Sequence, residues 1–222
     1  FIAWTVKYLG GLDAKKDSLA FTDFAWFNKH FVFMIFAFVI CGGEASVAYR
    51  VWPFSHNICK LIHAFFHTSA LALGSYGLYN TVEVHKKLGF KQFYSVHSWL
   101  GITVFAWYAF KFIISVPGFA LPNFPPSDMK ARIIPLHKTF GRYLYVFITA
   151  ATVTGLQQWQ TLEIDVLHGG LDSAYFLPLV KFTNPTAIVT VFACALVLGS
   201  HFFVRKDNDS FGDAPLTQRL LY

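Results

Sequence analysis

Charge is scarce in this chain. Asp, Glu, Lys and Arg make up 14% of its 222 residues, about half the share of an ordinary soluble domain. The 18 basic and 12 acidic side chains form no blocks, and the pI near 9.2 comes with apolar runs, which excludes a disordered or nucleic-acid-binding chain. Cysteine is also scarce. Cys41, Cys59 and Cys194 follow no pattern and include no CxxC, so neither a zinc site nor a disulfide framework is indicated, and the three read as small apolar packing residues. Internal repeats and low-complexity tracts are absent. What remains is grease: 55% of residues are hydrophobic, 19% are aromatic, and 26 are phenylalanine. With a mean hydropathy of +0.46, so many rings cannot all hide inside a water-soluble core of this size, and the expected class is an all-α integral membrane protein.

The few charges mark where water is. The stretch Phe31 to Ala48 holds only Glu44, Leu61 to Val82 holds no charge, and Phe93 to Val116 holds only Lys111. Ile133 to Gln160 carries Lys138 and Arg142 near its start, and Phe182 to Val204 carries none. Each approaches or exceeds the ~20 residues of a membrane crossing. Phe1 to Tyr8 reads as the tail of a truncated first helix, which makes the expected fold a six-helix bundle. The expected organisation is a transmembrane domain over 1–204 and a polar tail over 205–222. Short connections alternate between two faces. Side A carries Arg50 to Lys60, Pro117 to Arg132 and the tail; side B carries Gly10 to Lys29, Glu83 to Lys91 and the segment from about Thr161 to Lys181. Basic residues divide nine to eight between the faces, with Lys111 left over, so charge bias does not orient the chain.

Histidine carries the functional signal. Of nine, His30, His63, His67, His97 and His137 lie within or at the ends of apolar spans, where a polar ring is costly without a partner. In antiparallel order, His30 and His97 open spans that start on side B, while His63 and His137 open spans that start on side A. Two pairs result, one near each face. Two facing imidazoles at one depth are what a six-coordinate haem iron needs; zinc or copper needs further ligands that neither layer supplies. No span carries two histidines 13 to 14 residues (~20 Å) apart, which argues against the quinol-oxidising cytochrome b arrangement. His67, one turn past His63 and facing the same way, is the alternative ligand on that span, with a packing or supporting role the favoured reading.

The words around these histidines are TVKYLGGL (5–12), FNKH (27–30), GEASVAYRV (43–51), KLIHAFFH (60–67), FYSVHSWLG (93–101) and PLHKTFG (135–141). From Trp4 to about Gly155 the chain resembles the cytochrome b561 family of transmembrane ascorbate-dependent oxidoreductases. The resemblance implies six helices with a four-helix core holding two b haems. In it, His30 and His97 bind the non-cytoplasmic haem and His63 and His137 the cytoplasmic one, which makes side A the cytoplasm. It further implies one-electron transfer from cytoplasmic ascorbate to monodehydroascorbate or a ferric chelate on side B, in a vacuolar, endosomal or plasma membrane, with membrane lipid as surroundings and a homodimer as the family's habit.

On this reading anionic ascorbate meets fixed cations on side A: Arg50, Lys60, Lys130 and Arg132, with His56 as a fifth candidate. On side B, His85 holds the place of a substrate-associated histidine, and Lys86, Phe93, Tyr94 and Ser95 are its expected neighbours. The chain departs from family habit at Phe31, where a proline is usual, at Lys111, where an uncharged residue such as Gln is usual, and at GLQQW (155–159), which replaces a charged pair. Those departures admit an alternative, a di-haem or haem-binding accessory subunit of a larger complex in an organellar inner membrane, or a haem-free helical packing subunit.

Overall fold

The computed structural model describes residues 22–121, 125–162 and 176–202. The expected first helix, the tail after 204 and His168 lie outside them. Five helical rods account for the five expected spans. The first comprises α1 (Thr22–Met34), a π-helical turn (Ile35–Cys41) and α2 (Gly42–Val51) without interruption. Then come α3 (His56–Leu88), α4 (Val96–Ala120), α5 (Ser127–Thr161) and α6 (Phe176–Ser200). Three segments are long and apolar enough to cross a membrane: Phe27–Val51, Val96–Phe119 and Leu179–Ser200. In α3 and α5 the apolar stretch is diluted by histidine, Ser, Thr, Gly and Asn, or by the cations that open α5.

Local chemistry sets the ends. α3 stops at Gly89, whose φ of 69° is left-handed, and Phe90 N–H donates to the His85 carbonyl at 2.9 Å, closing the carbonyls that a helix end leaves open. His85, Lys86 and Lys87 fill its last turn, where positive charge meets the negative end of the helix dipole. α4 begins at Ser95, whose hydroxyl accepts from Ser98 N–H as an N-cap does. Pro117, Pro135 and Pro185 lie inside helices, tolerable where neighbouring helices satisfy the freed carbonyls.

Neighbouring rods run antiparallel, as paired contacts at both ends show. His30 meets Gly77 and Ala45 meets His63 between the first rod and α3. His97 meets Ala151 and Ser115 meets His137 between α4 and α5. Gln160 meets Thr183 between α5 and α6. The centre is closed by Ala37, Phe38, Cys41, Ala70, Val104, Tyr108, Leu144, Tyr145, Ile148 and Cys194. All three cysteines are free and buried. At Gly74 any side chain would collide with the Phe38 ring, so glycine is what lets α3 approach the first rod. The outer faces carry large apolar side chains, with Leu196 at 73% exposure, Leu61 at 70% and Phe192 at 65%, a surface suited to hydrocarbon rather than water.

The π-helical turn lies at mid-depth, with Ala37, Phe38 and Cys41 buried. Tyr145 of α5 donates its hydroxyl to the Val39 carbonyl at 2.9 Å, bonding a turn that the wider winding loosens. Tyr145→Phe keeps the ring but removes that bond, leaving the carbonyl with the Gly42 N–H alone, which costs about 1 kcal/mol. A lower unfolding midpoint in detergent is the expected result; an unchanged midpoint would show that the bond does not support the turn.

Candidate functional site: two imidazole pairs

Each pair of histidines expected from helix order is brought together. His30 of α1 and His97 of α4 have ring centroids 6.1 Å apart with planes at 77°. His63 of α3 and His137 of α5 stand 6.2 Å apart with planes at 58°. A metal–imidazole bond of about 2.0 Å on each side of one iron puts the two ring centroids about 6 Å apart, so both gaps accept a single iron.

The second nitrogen of every ring is already committed. His30 Nδ1 lies 3.1 Å from the Gly77 carbonyl oxygen, His63 Nδ1 2.8 Å from that of Ala45, and His97 Nδ1 3.0 Å from that of Ala151. His137 Nδ1 lies 3.2 Å from the Ser115 hydroxyl. A carbonyl can only accept, so in three rings Nδ1 carries the proton and Nε2 keeps its lone pair, the tautomer of a metal-bound histidine. Among the described residues no cluster of three or more His, Cys, Asp or Glu side chains is placed to hold a bare metal ion. The donor set fits a metal that brings its own equatorial ligands.

His67 sits 4.4 Å from His63, ring to ring, and its Nδ1 lies 2.6 Å from the Tyr108 hydroxyl. It buttresses His63 and, among the described residues, has no imidazole opposite it. The two layers are well separated: His63 and Gly77 are fourteen residues apart on α3, as are His137 and Ala151 on α5, which is about 21 Å of helix axis.

Around the side-B pair the rods leave a space that is partly open to solvent. Its lining includes His30, His97, His85, Phe93, Tyr94 and Gln158. His85 is buried, 9% exposed, and stacks on Phe27 with planes 4° apart; Phe27 in turn stacks on Trp159 at 5.1 Å. Phe93 holds a left-handed φ of 50°, a strained setting for an aromatic residue. Ser95 lies beside this space and donates to Gln158 at 2.7 Å, and Gln158 donates to the Tyr94 hydroxyl at 3.1 Å. Lys86 does not join them. Its ammonium lies on Glu83 at 2.9 Å, and that bond holds its pKa above the usual lysine value.

On side A the expected cations divide. The His56 ring packs on Tyr49 at 5.2 Å, and Tyr49 packs on His63 at 5.5 Å, a ring-to-ring path from the start of α3 to the inner pair. Burial and then the neighbouring Lys60 ammonium push the His56 imidazole below the ordinary histidine range. Arg50 lies within electrostatic reach of His201, as do Arg142 and Lys138. The Lys130 ammonium meets the Leu121 carbonyl at 3.5 Å, and Arg132 is exposed.

A family model for eukaryotic cytochrome b561 matches residues 29–163, the segment that contains both pairs. This chain belongs to the cytochrome b561 family. Membership implies a b-type haem, which the donor set fits. The chain is 33% identical over 209 residues to ascorbate-specific transmembrane electron transporter 1 of Zea mays, covering 93% of this chain and 84% of the relative. It is 34% identical over 203 residues to transmembrane ascorbate ferrireductase 1 of Arabidopsis thaliana, at 89% and 78% coverage. A transmembrane ascorbate-dependent reductase of Bos taurus is 30% identical over 194 residues, at 85% and 74%.

Sequence reasoning passed over Gln158, Trp159 and Phe27 at the side-B space, and Ser115 behind His137. Gln158 had a signal, since it lies in the segment that departs from family habit. Phe27 opens the FNKH motif (27–30), and Ser115 had no signal beyond its place on a helix. Gly155 has a direct role: a Cβ there would stand 2.7 Å from His97 Cε1. Gly155→Ala should therefore displace the His97 ring and lower the haem-to-protein ratio, while Gly118→Ala, which meets nothing within 4 Å, leaves it unchanged. An unaltered ratio in both would dissociate His97 from haem binding.

Proposed function

We propose that this chain is a six-helix transmembrane electron carrier with a four-helix core. It moves single electrons through two b haems from cytoplasmic ascorbate on side A to monodehydroascorbate or a ferric chelate on side B. The observation that supports it is the pair of facing imidazoles at each end of one antiparallel core, every ring with its Nδ1 already engaged. His30 and His97 would hold one haem, and His63 and His137 the other. Bound there, a b haem supplies reversible one-electron chemistry with little structural change. That the relatives are named as ascorbate-dependent transporters and reductases supports ascorbate as the donor. Nothing supports the accessory-subunit alternative.

The protein's own work is to hold, insulate and admit. The carbonyls of Gly77, Ala45 and Ala151 and the Ser115 hydroxyl keep each ring in one orientation, which limits the reorganisation that electron transfer requires. Phe38, Tyr108, Tyr145 and Ile148 close the space between the layers to water. At side A, Lys60 and, through longer-range attraction, Arg50, Lys130 and Arg132 draw in the ascorbate anion. One-electron oxidation of the ascorbate monoanion releases a proton as well as the electron. His56, at the start of α3 beside Lys60 and with its basicity reduced by burial and by that ammonium, is the base we assign to that proton. At side B, His85, Phe93, Tyr94 and Ser95, with Gln158, form the mouth at which the acceptor docks; Lys86 contributes surface charge beside it.

Difference spectra of the purified protein test the reading, with ascorbate as reductant and dithionite as endpoint. Two b haems per chain, largely reduced by ascorbate, are expected. In His63→Ala ascorbate should reduce neither haem, whereas in His30→Ala it should still reduce the remaining one. Equal behaviour of the two variants would overturn the assignment of donor and acceptor sides. Lys60→Ala should raise the KM for ascorbate about tenfold, an effect that shrinks at high ionic strength as screening replaces the lost charge; an unchanged KM would remove Lys60 from the donor site.

A further inference from the structure

Lys111 is the one charged residue between Phe93 and Val116 and lies inside α4, away from both of its ends. It lies one turn before Ser115 on α4, so the two share a helix face, and the Ser115 hydroxyl meets His137 Nδ1. Its ammonium crosses to α5. A Cβ on Gly141 would stand 2.7 Å from Lys111 Nζ, so the charged group occupies the place that a side chain would fill, one turn past His137. The ammonium lies within electrostatic reach of the His63, His67 and His137 rings. Glu44, the one acidic residue of the apolar spans, lies instead within reach of Cys41 and Tyr145. Among the described residues no carboxylate or carbonyl takes a hydrogen bond from Lys111. A cation in such a setting requires a counter-charge, and the described residues supply none within hydrogen-bonding distance.

We propose that Lys111 is the counter-charge of the side-A haem and raises its reduction potential. The proposal rests on the two-haem reading given above. Reduction of ferric to ferrous iron there adds one electron, forms and breaks no bond, and makes the site more negative by one charge. In a low-dielectric interior a fixed cation beside the ring pair stabilises the reduced form more than the oxidised one. No equivalent cation faces the side-B pair among the described residues: the lining of that space contains no lysine or arginine. Lys111 therefore biases the first acceptor of the chain toward taking the donor's electron. It acts through the electrostatics of the haem and touches neither substrate.

Spectroelectrochemical titration of the purified holoprotein tests this, with the side-A haem recognised by its loss in His63→Ala. In Lys111→Gln, which removes the charge and nearly keeps the length, the ratio of reduced to oxidised side-A haem at a given potential should fall at least tenfold, a shift of about 59 mV for one electron. The side-B haem should not move, and Lys111→Arg should keep the wild-type value. Unmoved potentials in Lys111→Gln would overturn the proposal, as would equal shifts of both haems or a fall as large in Lys111→Arg. Loss of haem from Lys111→Gln would also overturn it, by making Lys111 a packing residue. A wild-type protein without two haems would instead defeat the functional reading on which the proposal stands, so the two failures are distinguishable.

Discussion

The structure depends on how an imidazole can be kept in a place that water does not reach. A histidine ring has two nitrogens, and one left bare among apolar side chains is costly. Here each Nδ1 of the four paired rings is met by an oxygen of a neighbouring rod: Gly77 and Ala45 across the α1–α3 and α2–α3 seams, Ala151 and Ser115 across the α4–α5 seam. The bonds that hold the rings are thus also the bonds that set the rods against one another. Helix arrangement and ligand geometry cannot be varied independently, because shifting one helix along its neighbour withdraws a carbonyl from a ring.

The two ends built on this common frame differ in character. Side B opens as a roomy, aromatic-walled space in which His85, Phe27 and Trp159 stack in series and a small polar relay of Ser95, Gln158 and Tyr94 lines the mouth. Side A carries a ring path through Tyr49 and cations on several elements. An end organised by dispersed charge suits attraction of a small anion from a distance. An end organised by enclosure suits recognition by contact.

Much of this was legible in the amino-acid order because helical hairpins convert counting into depth. Once charge-poor spans and short connections are marked, the positions of His30, His63, His97 and His137 at span starts specify two layers without any coordinates, and the pairs are found together. Side-chain direction was not legible. Arg50 and Lys60 are ten residues apart and read as one cluster, yet Arg50 lies within electrostatic reach of His201 while Lys60 neighbours His56. Lys86 read as a companion of His85 but turns to Glu83, three residues back on the same helix. Gln158 and Ser115 matter through partners more than twenty positions away in the chain, which no local pattern encodes. Lys111 stood out in the sequence as an electrostatic problem, and only the packing against Gly141 shows where its charge goes.

The wider turn in the first rod has a consequence for descent. Between His30 and Ala45 the chain spends fifteen residues, while α3 spends fourteen between His63 and Gly77, the residues they meet. On a regular helix that one additional residue would swing everything beyond it by about 100° and point Ala45 away from His63. Winding Ile35–Cys41 as a π-helix absorbs the surplus within a single turn. A one-residue insertion into such a rod would thereby be confined to a few ångströms of backbone. Comparison of this segment with a relative that lacks the turn should carry a one-residue gap inside an unbroken helix, where gaps are ordinarily penalised most heavily.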